Sequence, residues 1–341
     1  MSPKVSIIIP LKKIEPWART ETIPDLLAQS YQDFEIIILP DRNSKENFPK
    51  TRIVSTWPKP GPADKKDIGV KVSKGEIVAF IDDDAFPCKN WLKNAVGYFK
   101  KTNIGAVCGP GLTPDSDSLL SRVSGWMWAT WLGSGGAGRY RSWPGKKRFV
   151  DDYPTFNLIV RKSDFEKVGG FDSAFWPGED TKFCHDLVYK LGKKIVYDPK
   201  VCVYHHRRDI FLKHLKQAGR YGLHRGFFVK ILPKTSRRVG YFGPLFFSFG
   251  LILGPLFWII LNRLGFLLLS SILIKLYLFS ISVYTILLLW SGIWVYTKSK
   301  NVLESVLVVP TILITHFFYG FMFFRGITKK MVKSKYSRDK I

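Results

Sequence analysis

Val78-Ala79-Phe80-Ile81-Asp82-Asp83-Asp84-Ala85-Phe86-Pro87 reads as a buried strand that ends abruptly in three carboxylates. An apolar run this dense suits a strand covered on both faces of an α/β sheet. Carboxylates side by side at its end repel one another and lose hydration unless something positive neutralises them. At the C-terminal edge of a parallel strand, where α/β folds take their ligands, a divalent cation carrying a phosphate meets that need. Hard oxygen ligands favour Mg2+ or Mn2+ over zinc. The alternative is an acidic strand-to-loop turn without chemistry.

The flanking sequence repeats the strand–helix alternation. Val5-Ser6-Ile7-Ile8-Ile9-Pro10 is β-branched and stopped by proline, as a central parallel strand is. Residues 20–30 have helical spacing, with Pro24 near the start where a helix tolerates it. Phe34-Glu35-Ile36-Ile37-Ile38-Leu39 predicts a second strand leading into Pro40-Asp41-Arg42-Asn43, and Ile53-Val54 a short third. Residues 63–73 read as a helix carrying Lys65 and Lys66. This order implies right-handed βαβ units and a Rossmann-like sheet.

Farther on the pattern loosens. Residues 109–148 are rich in Gly, Trp and Arg, and Gly133-Ser134-Gly135-Gly136-Ala137-Gly138-Arg139 predicts a mobile loop over a site. No GKS or GKT closes it, so it is not a P-loop. Asn157–Arg161 resumes a strand, Ser163 with Glu166 offers a helix capping box, and residues 180–191 read as a helix. Two short strands, 194–197 and 201–204, lead to His205-His206.

Charge and hydropathy divide the chain. Lys and Arg number 52 against 27 acids, a formal charge of +25 that suggests anionic partners. Ten of the basic residues fall between 205 and 240, opposed only by Asp209, whereas 241–296 carries only Arg263 and Lys275. A basic belt beside a long apolar block is the pattern of a protein seated on anionic lipid headgroups, and it disfavours nucleic acid as the partner. Residues 241–262, roughly 275–296 and 303–324 each reach the length that crosses a bilayer. Residues 264–274 lie along the interface or belong to a fourth span bent back at Lys275. Three spans leave the basic tail on the far side of the membrane from the N-terminal domain, and four return it, so the count stays open. Cys88, Cys108, Cys184 and Cys202 form no CxxC pair, which gives neither a zinc site nor a disulfide framework and fits a reducing, cytosolic face.

Val5–Pro10, Asp41, the helix from Lys65 to Gly75, Asp82–Asp84, Gly169-Gly170-Phe171-Asp172, Glu179-Asp180 and His205-His206 resemble, in order and spacing, the motifs of family 2 glycosyltransferases. The resemblance covers about residues 3–225. It implies a GT-A fold, α/β with a Rossmann-like, mostly parallel sheet flanked by helices. It also implies a nucleotide-sugar donor (UDP-, GDP- or dTDP-sugar), a divalent metal and inversion at the anomeric carbon. Carried over residue by residue, Asp84 would ligate the metal together with Asp82 and His205 or His206. Pro10, Asp41, Lys65, Asp82, Asp83 and Arg220 would line the donor and nucleotide site. Glu179, Trp176 and Tyr221 would meet the acceptor, and Asp180, of the Glu-Asp pair, would be the catalytic base. Pro40-Asp41-Arg42-Asn43-Ser44 departs from the usual acid pair followed by Gly-Ser, which leaves the base of the nucleotide open. Gln217-Ala218-Gly219-Arg220-Tyr221 resembles the QxxRW motif of processive synthases with Tyr in place of Trp, which puts processivity in doubt.

The expected organisation is a GT-A domain over 1–204, a basic amphipathic interfacial segment over 205–240, a transmembrane region of three or four helices over 241–325 and a basic tail over 326–341. The reading that follows is a membrane-anchored transferase, its catalytic domain facing the cytoplasm, acting on a lipid-linked or growing glycan acceptor. A polyprenyl-phosphate sugar transferase and a non-catalytic scaffold with a degenerate fold are the alternatives.

Overall fold

The computed structural model describes residues 4–57, 60–136 and 138–330. They form two compact units, one of residues up to 114 and 140–206, the other of 115–139 and 207–330. In the first unit the elements are β1 (Val5–Pro10), α1 (Ile23–Leu27), β2 (Phe34–Leu39), β3 (Thr51–Ile53), α2 (Pro62–Val72), β4 (Ile77–Ile81), β5 (Ala85–Pro87), α3 (Trp91–Val96), β6 (Ile104–Cys108) and β7 (Gly111–Leu112). After α4 (Leu119–Ala129), which belongs to the second unit, come β8 (Arg148–Val150), β9 (Asn157–Arg161), α5 (Lys162–Val168), α6 (Glu179–Tyr189), β10 (Lys194–Tyr197) and β11 (Val203–His205).

Eight strands make one sheet in the order β3-β2-β1-β4-β9-β6-β10-β8, and β5-β11-β7 make a small second sheet. β1 to β4 pair in parallel, with every residue of β1 and β4 buried, as their apolar runs predict. The sheet is mostly parallel, as expected, because β6 and β10 pair in parallel and run in the sense of β1 to β4, while β9 and β8 run against them. β9 runs antiparallel to both β4 and β6, so the sheet is mixed. An apolar run shows that a strand is buried but not which way it runs. The capping box also fails: α5 starts directly from β9, with Arg161 at its N-cap and no side-chain cap. Its end is better specified, because Gly169 and Gly170 at φ +92° and +78° take left-handed conformations that glycine adopts without steric cost.

Phe80, fully buried in β4, meets Phe165 and Phe171 at ring-centroid distances of 5.6 and 5.1 Å. Phe80→Ala should cost about 3–5 kcal/mol by leaving a cavity under the acidic turn. Urea unfolding of the purified protein checks it, and a cost below about 1 kcal/mol would mean that the site closes over the gap.

A disulfide joins Cys88 and Cys202, which corrects the expectation of none. The two cysteines are 114 residues apart in sequence, a separation from which no pairing could be read, and adjacent strands bring them together. Cys108 and Cys184 stay reduced and buried. After denaturation without reductant, maleimide should therefore label two cysteines, and after reduction four. Four labelled without reductant would disprove the bond.

The second unit holds α4, α7 (Leu212–Ile231), α8 (Pro233–Ser236), α9 (Val239–Arg263), α10 (Leu267–Ser299) and α11 (Val302–Thr328). The last three, of 25, 33 and 27 residues, are long and apolar enough to be membrane spans. Among the described residues there is no fourth. Residues 267–274 open α10, which runs unbroken through Lys275. Of the tail, residues 331–341 lie outside the described residues.

Residues 119–129, expected to be part of a loop, form a packed helix. Ser118 caps it by accepting from the Ser121 amide, and Val123 and Met127, four residues apart, enter an apolar cluster with Ile210, Leu288 and Ile312. Its glycine and tryptophan content masked that spacing. On the same helix Arg122 Nε and Trp126 Nε1 each donate at 2.6 Å to Glu304, which is buried at the start of α11. α7, in the segment expected to lie in the headgroups, also packs by one face, presenting Gly219, Gly222 and Gly226 to α11. A Cβ at Gly226 would come within 2.1 Å of the Phe323 carbonyl oxygen. Small residues at this spacing let helix backbones approach closely, so α7 is a packed element of the helical unit.

Candidate active site

Parallel registers bring the ends of β1, β2 and β4 to one edge of the large sheet. Pro10 pairs with Leu39, and extending the β1–β4 register beyond Ile8–Phe80 puts Pro10 beside Asp82. β9 enters at this edge because Asn157 pairs with Ile81. Strand polarity alone thus gathers residues distant in sequence.

Asp82, Asp83 and Asp84 form the tight turn from β4 to β5, closed by the Ala85 amide donating to the Asp82 carbonyl at 3.2 Å. All three are half-buried. Burial, reinforced by Asp84 and Asp82, pushes Asp83 up to about 7. Asp82 is also raised, chiefly by burial and against the opposing pull of Lys66. Such crowding favours proton uptake or a cation. The small sheet supplies the third ligand type. β11 pairs with β5 so that His205 stands opposite Ala85, and His205 Nε2 approaches Asp84 Oδ1 at 3.1 Å. The ring is stacked on Phe156, with centroids 4.9 Å apart. Asp82, Asp84 and His205 each offer a donor atom within 4.8 Å of the others. Two carboxylates and an imidazole fit Mn2+ or Mg2+.

His206 lies outside this cluster. Its Nε2 is 2.7 Å from Glu21 Oε2, its ring stacks on Trp17 at 4.4 Å, and its backbone amide donates to the Asp84 carbonyl at 3.0 Å. Of the two candidate histidines, the geometry selects His205. Alternation along a strand sends neighbouring side chains apart, and sequence cannot tell which face is which.

Lys65 and Lys66 differ from the solvated helix lysines they resemble in sequence. Both are buried, at 4% exposure. One residue apart on α2, they point about 100° apart around the helix. Lys65 Nζ donates to Asp41 Oδ1 at 2.5 Å, and also to the carbonyls of Leu11 and Leu39. It therefore holds Asp41 just past the end of β2. Lys66 Nζ donates to Thr155 Oγ1 and, at 3.2 Å, to Glu179 Oε1. Burial works against its charge, but Glu179, Asp82 and Asp180 outweigh it and the pKa stays above the ordinary lysine value. Removing one member of this buried pair would leave the other uncompensated, a loss of about 3–5 kcal/mol.

Glu179, expected to touch the acceptor, is buried and turned to Lys66. Asp180, next on the first turn of α6, is half-buried. Burial first, then Glu179 and Asp152, pushes it up to about 7, against Lys66 and the Thr181 amide that donates to it at 2.7 Å. A carboxyl poised near neutral pH has the strength suited to a general base. Asp152 accepts from Thr181 Oγ1 at 2.9 Å and pairs with Arg141 at 3.0 Å. Trp176 is half-buried at the loop before α6. Arg220, exposed, and Tyr221, whose hydroxyl accepts from Gln217 at 3.1 Å, sit on α7 in the other unit.

Sequence reasoning missed Thr155, Asp152 and Arg141, none of which lies in a recognisable motif. It set Lys66 with Lys65 near the donor or in solvent, and the contact of Lys66 with Glu179 was not legible because the two are 113 residues apart.

A mixed α/β sheet with clustered acids at one edge is the architecture of a GT-A transferase, and a solved structure supports it. A mannosyltransferase from Pyrobaculum calidifontis, in complex with GDP-Man and Mn2+, aligns over 94% of this chain and 88% of its own at 15% identity, with a TM-score of 0.52. Residues 6–169 match the glycosyl transferase family 2 model. The chain is 24% identical over 349 residues to the dolichyl N-acetyl-alpha-D-glucosaminyl phosphate 3-beta-D-2,3-diacetamido-2,3-dideoxy-beta-D-glucuronosyltransferase of Methanococcus voltae, covering 95% of this chain and 97% of that protein. A glucosyl-dolichyl phosphate glucuronosyltransferase of Haloferax volcanii is 20% identical over 59% of this chain and 69% of its own length. The pre-mycofactocin glycosyltransferase of Mycobacterium tuberculosis is 26% identical over 48% of this chain, which spans only 33% of that protein.

Proposed function

We propose that the protein is a membrane-anchored, inverting glycosyltransferase that moves a sugar from a nucleotide-sugar donor to a lipid-linked acceptor. The observation that carries this reading is the gathering of Asp82, Asp84 and His205 at the sheet edge where Lys66 also meets Glu179 and Asp180. Asp41, held by Lys65, faces the nucleoside in this reading, and Pro10 and Asp83 border the donor. Asp82, Asp84 and His205 would hold Mn2+ or Mg2+, which when bound offsets charge on the departing diphosphate. Asp180 takes the proton of the acceptor hydroxyl as its oxygen bonds to the anomeric carbon. The bond from that carbon to the diphosphate oxygen breaks, and the nucleoside diphosphate leaves with the electron pair.

A lipid-linked acceptor is favoured because three long apolar helices follow the domain, and because the two archaeal relatives are named for dolichyl-phosphate-linked sugars. Those names also favour extension of a lipid-linked sugar over synthesis of a lipid-phosphate sugar. The basic residues 207–238 would rest on anionic headgroups in this reading.

We place the domain on the cytoplasmic side, from the cluster of basic residues before the first apolar helix. The Cys88–Cys202 bond pulls the other way, since disulfides are uncommon in reducing compartments. Protease treatment of right-side-out vesicles decides it: a cytoplasmic domain survives intact.

The functional test incubates the detergent-solubilised protein with UDP-, GDP- and dTDP-sugars and a native lipid extract, and identifies products by mass spectrometry. A sugar-extended lipid is the expected product. Tight, salt-sensitive binding to duplex DNA with no product from any donor would overturn the proposal.

A further inference from the structure

We propose that Lys66 is a positioning residue for the transfer step, its buried ammonium locking the first turn of α6, and Asp180 with it, to the sheet edge that carries Asp82. The proposal rests on the reading of Asp180 as the base. Its ground is an imbalance of charge inside the protein. The ammonium is fixed by two contacts, to Thr155 and to Glu179 on the first turn of α6, and two further carboxylates act on it without touching it. Glu179 is its hydrogen-bonded partner at 3.2 Å, and Asp82 and Asp180 both act on its charge.

The acids around Asp180 are otherwise committed. Glu179 is turned to Lys66, and Asp152 is taken by Arg141 and Thr181. With Lys66 neutralised, Asp180 would face Glu179 and Asp152, the second of which is paired to Arg141. The anchor is rigid. Thr155, just ahead of β9, accepts from the ammonium, and Phe171 lies beneath it at 5.3 Å to the ring centroid. Three parts of the chain thus converge on one charge: α2, the entry to β9 and the start of α6. In the proposed reaction Asp82 belongs to the donor side and Asp180 to the acceptor side, and the charge of Lys66 acts on both.

The test measures kcat and donor KM between pH 5.5 and 9, using the best donor of the screen and the native lipid extract, for Lys66→Met, Lys66→Arg, Thr155→Val and Asp180→Asn. Lys66→Met should lower kcat at pH 7 by about 10- to 100-fold, with donor KM within about threefold. It should also move the acidic limb of the kcat profile up by about one pH unit, because the cation that favours the ionised base is gone. Lys66→Arg should return the limb to its wild-type position, and Thr155→Val should shift it the same way by a smaller amount. A purely structural lysine would change melting temperature and leave the limb where it was. An unmoved limb in Lys66→Met overturns the proposal. Should that variant not fold, an unmoved limb in Thr155→Val does the same. Asp180→Asn separates the two readings. If it is inactive while the Lys66 variants keep the wild-type limb, Lys66 has no positioning role and the base assignment stands. If it retains wild-type turnover and profile, both fall.

Discussion

Asp180→Asn should lower turnover by about 10²–10⁴-fold while donor affinity stays within about threefold, because the amide keeps the shape of the side chain but cannot take a proton. The same residue sets the pH dependence. Burial, Glu179 and Asp152 hold its carboxyl at about 7, and only the ionised form is a base. Turnover should therefore rise with pH, about tenfold between pH 6 and pH 8, as the ionised fraction climbs from about a tenth to about nine-tenths. The sign follows from the group being raised above its ordinary value: a carboxylate of ordinary strength would give a flat profile over that range. Single-turnover rates measured with saturating donor check both parts. Wild-type turnover in the variant would remove Asp180 from the mechanism.

Asp84→Ala and EDTA should each reduce transfer by at least about 10³-fold, the value of several kcal/mol of charge stabilisation at the leaving group. Mn2+ should restore the EDTA-treated enzyme but not the variant. The geometry adds a sharper contrast. His205, with Nε2 at 3.1 Å from Asp84, is placed to be a ligand, whereas His206 is turned to Glu21 and Trp17. His205→Ala should weaken Mn2+ binding by about 10- to 100-fold, and His206→Ala should leave it within about threefold. Electron paramagnetic resonance titration of Mn2+ reads this without turnover. Equal affinity in the two variants would show that the metal sits elsewhere, and full activity in EDTA would remove it from the reaction.

Both predictions use residues visible in the sequence, but not every visible residue kept its expected place. Asp82 and Asp84 stood out because three acids after a buried run are costly without a counter-charge, and the structure does bring them together with His205. Glu179 and Lys65 were named from the resemblance alone. Both prove to be buried supports, Glu179 on Lys66 and Lys65 on Asp41. A motif records which residue types recur and not whether a side chain points at a ligand or at its neighbour. α4 was hidden for a related reason: composition suggested a loop, although Val123 and Met127 already had helical spacing.

By itself the sequence determined what local chemistry can determine. Apolar runs specified the buried strands β1, β2 and β4, the acids at the end of β4 marked the site, and three charge-poor stretches specified the long helices. Each of these follows from residues adjacent along the chain. Only the tertiary structure decided the antiparallel course of β9, the choice of His205 over His206, the Cys88–Cys202 bond and the burial of Lys65 and Lys66. These depend on strand direction, on which face of an element looks inward and on contacts between segments as many as 185 residues apart. Packing of the whole chain settles such relations, since many arrangements satisfy the same local preferences and only one satisfies them together.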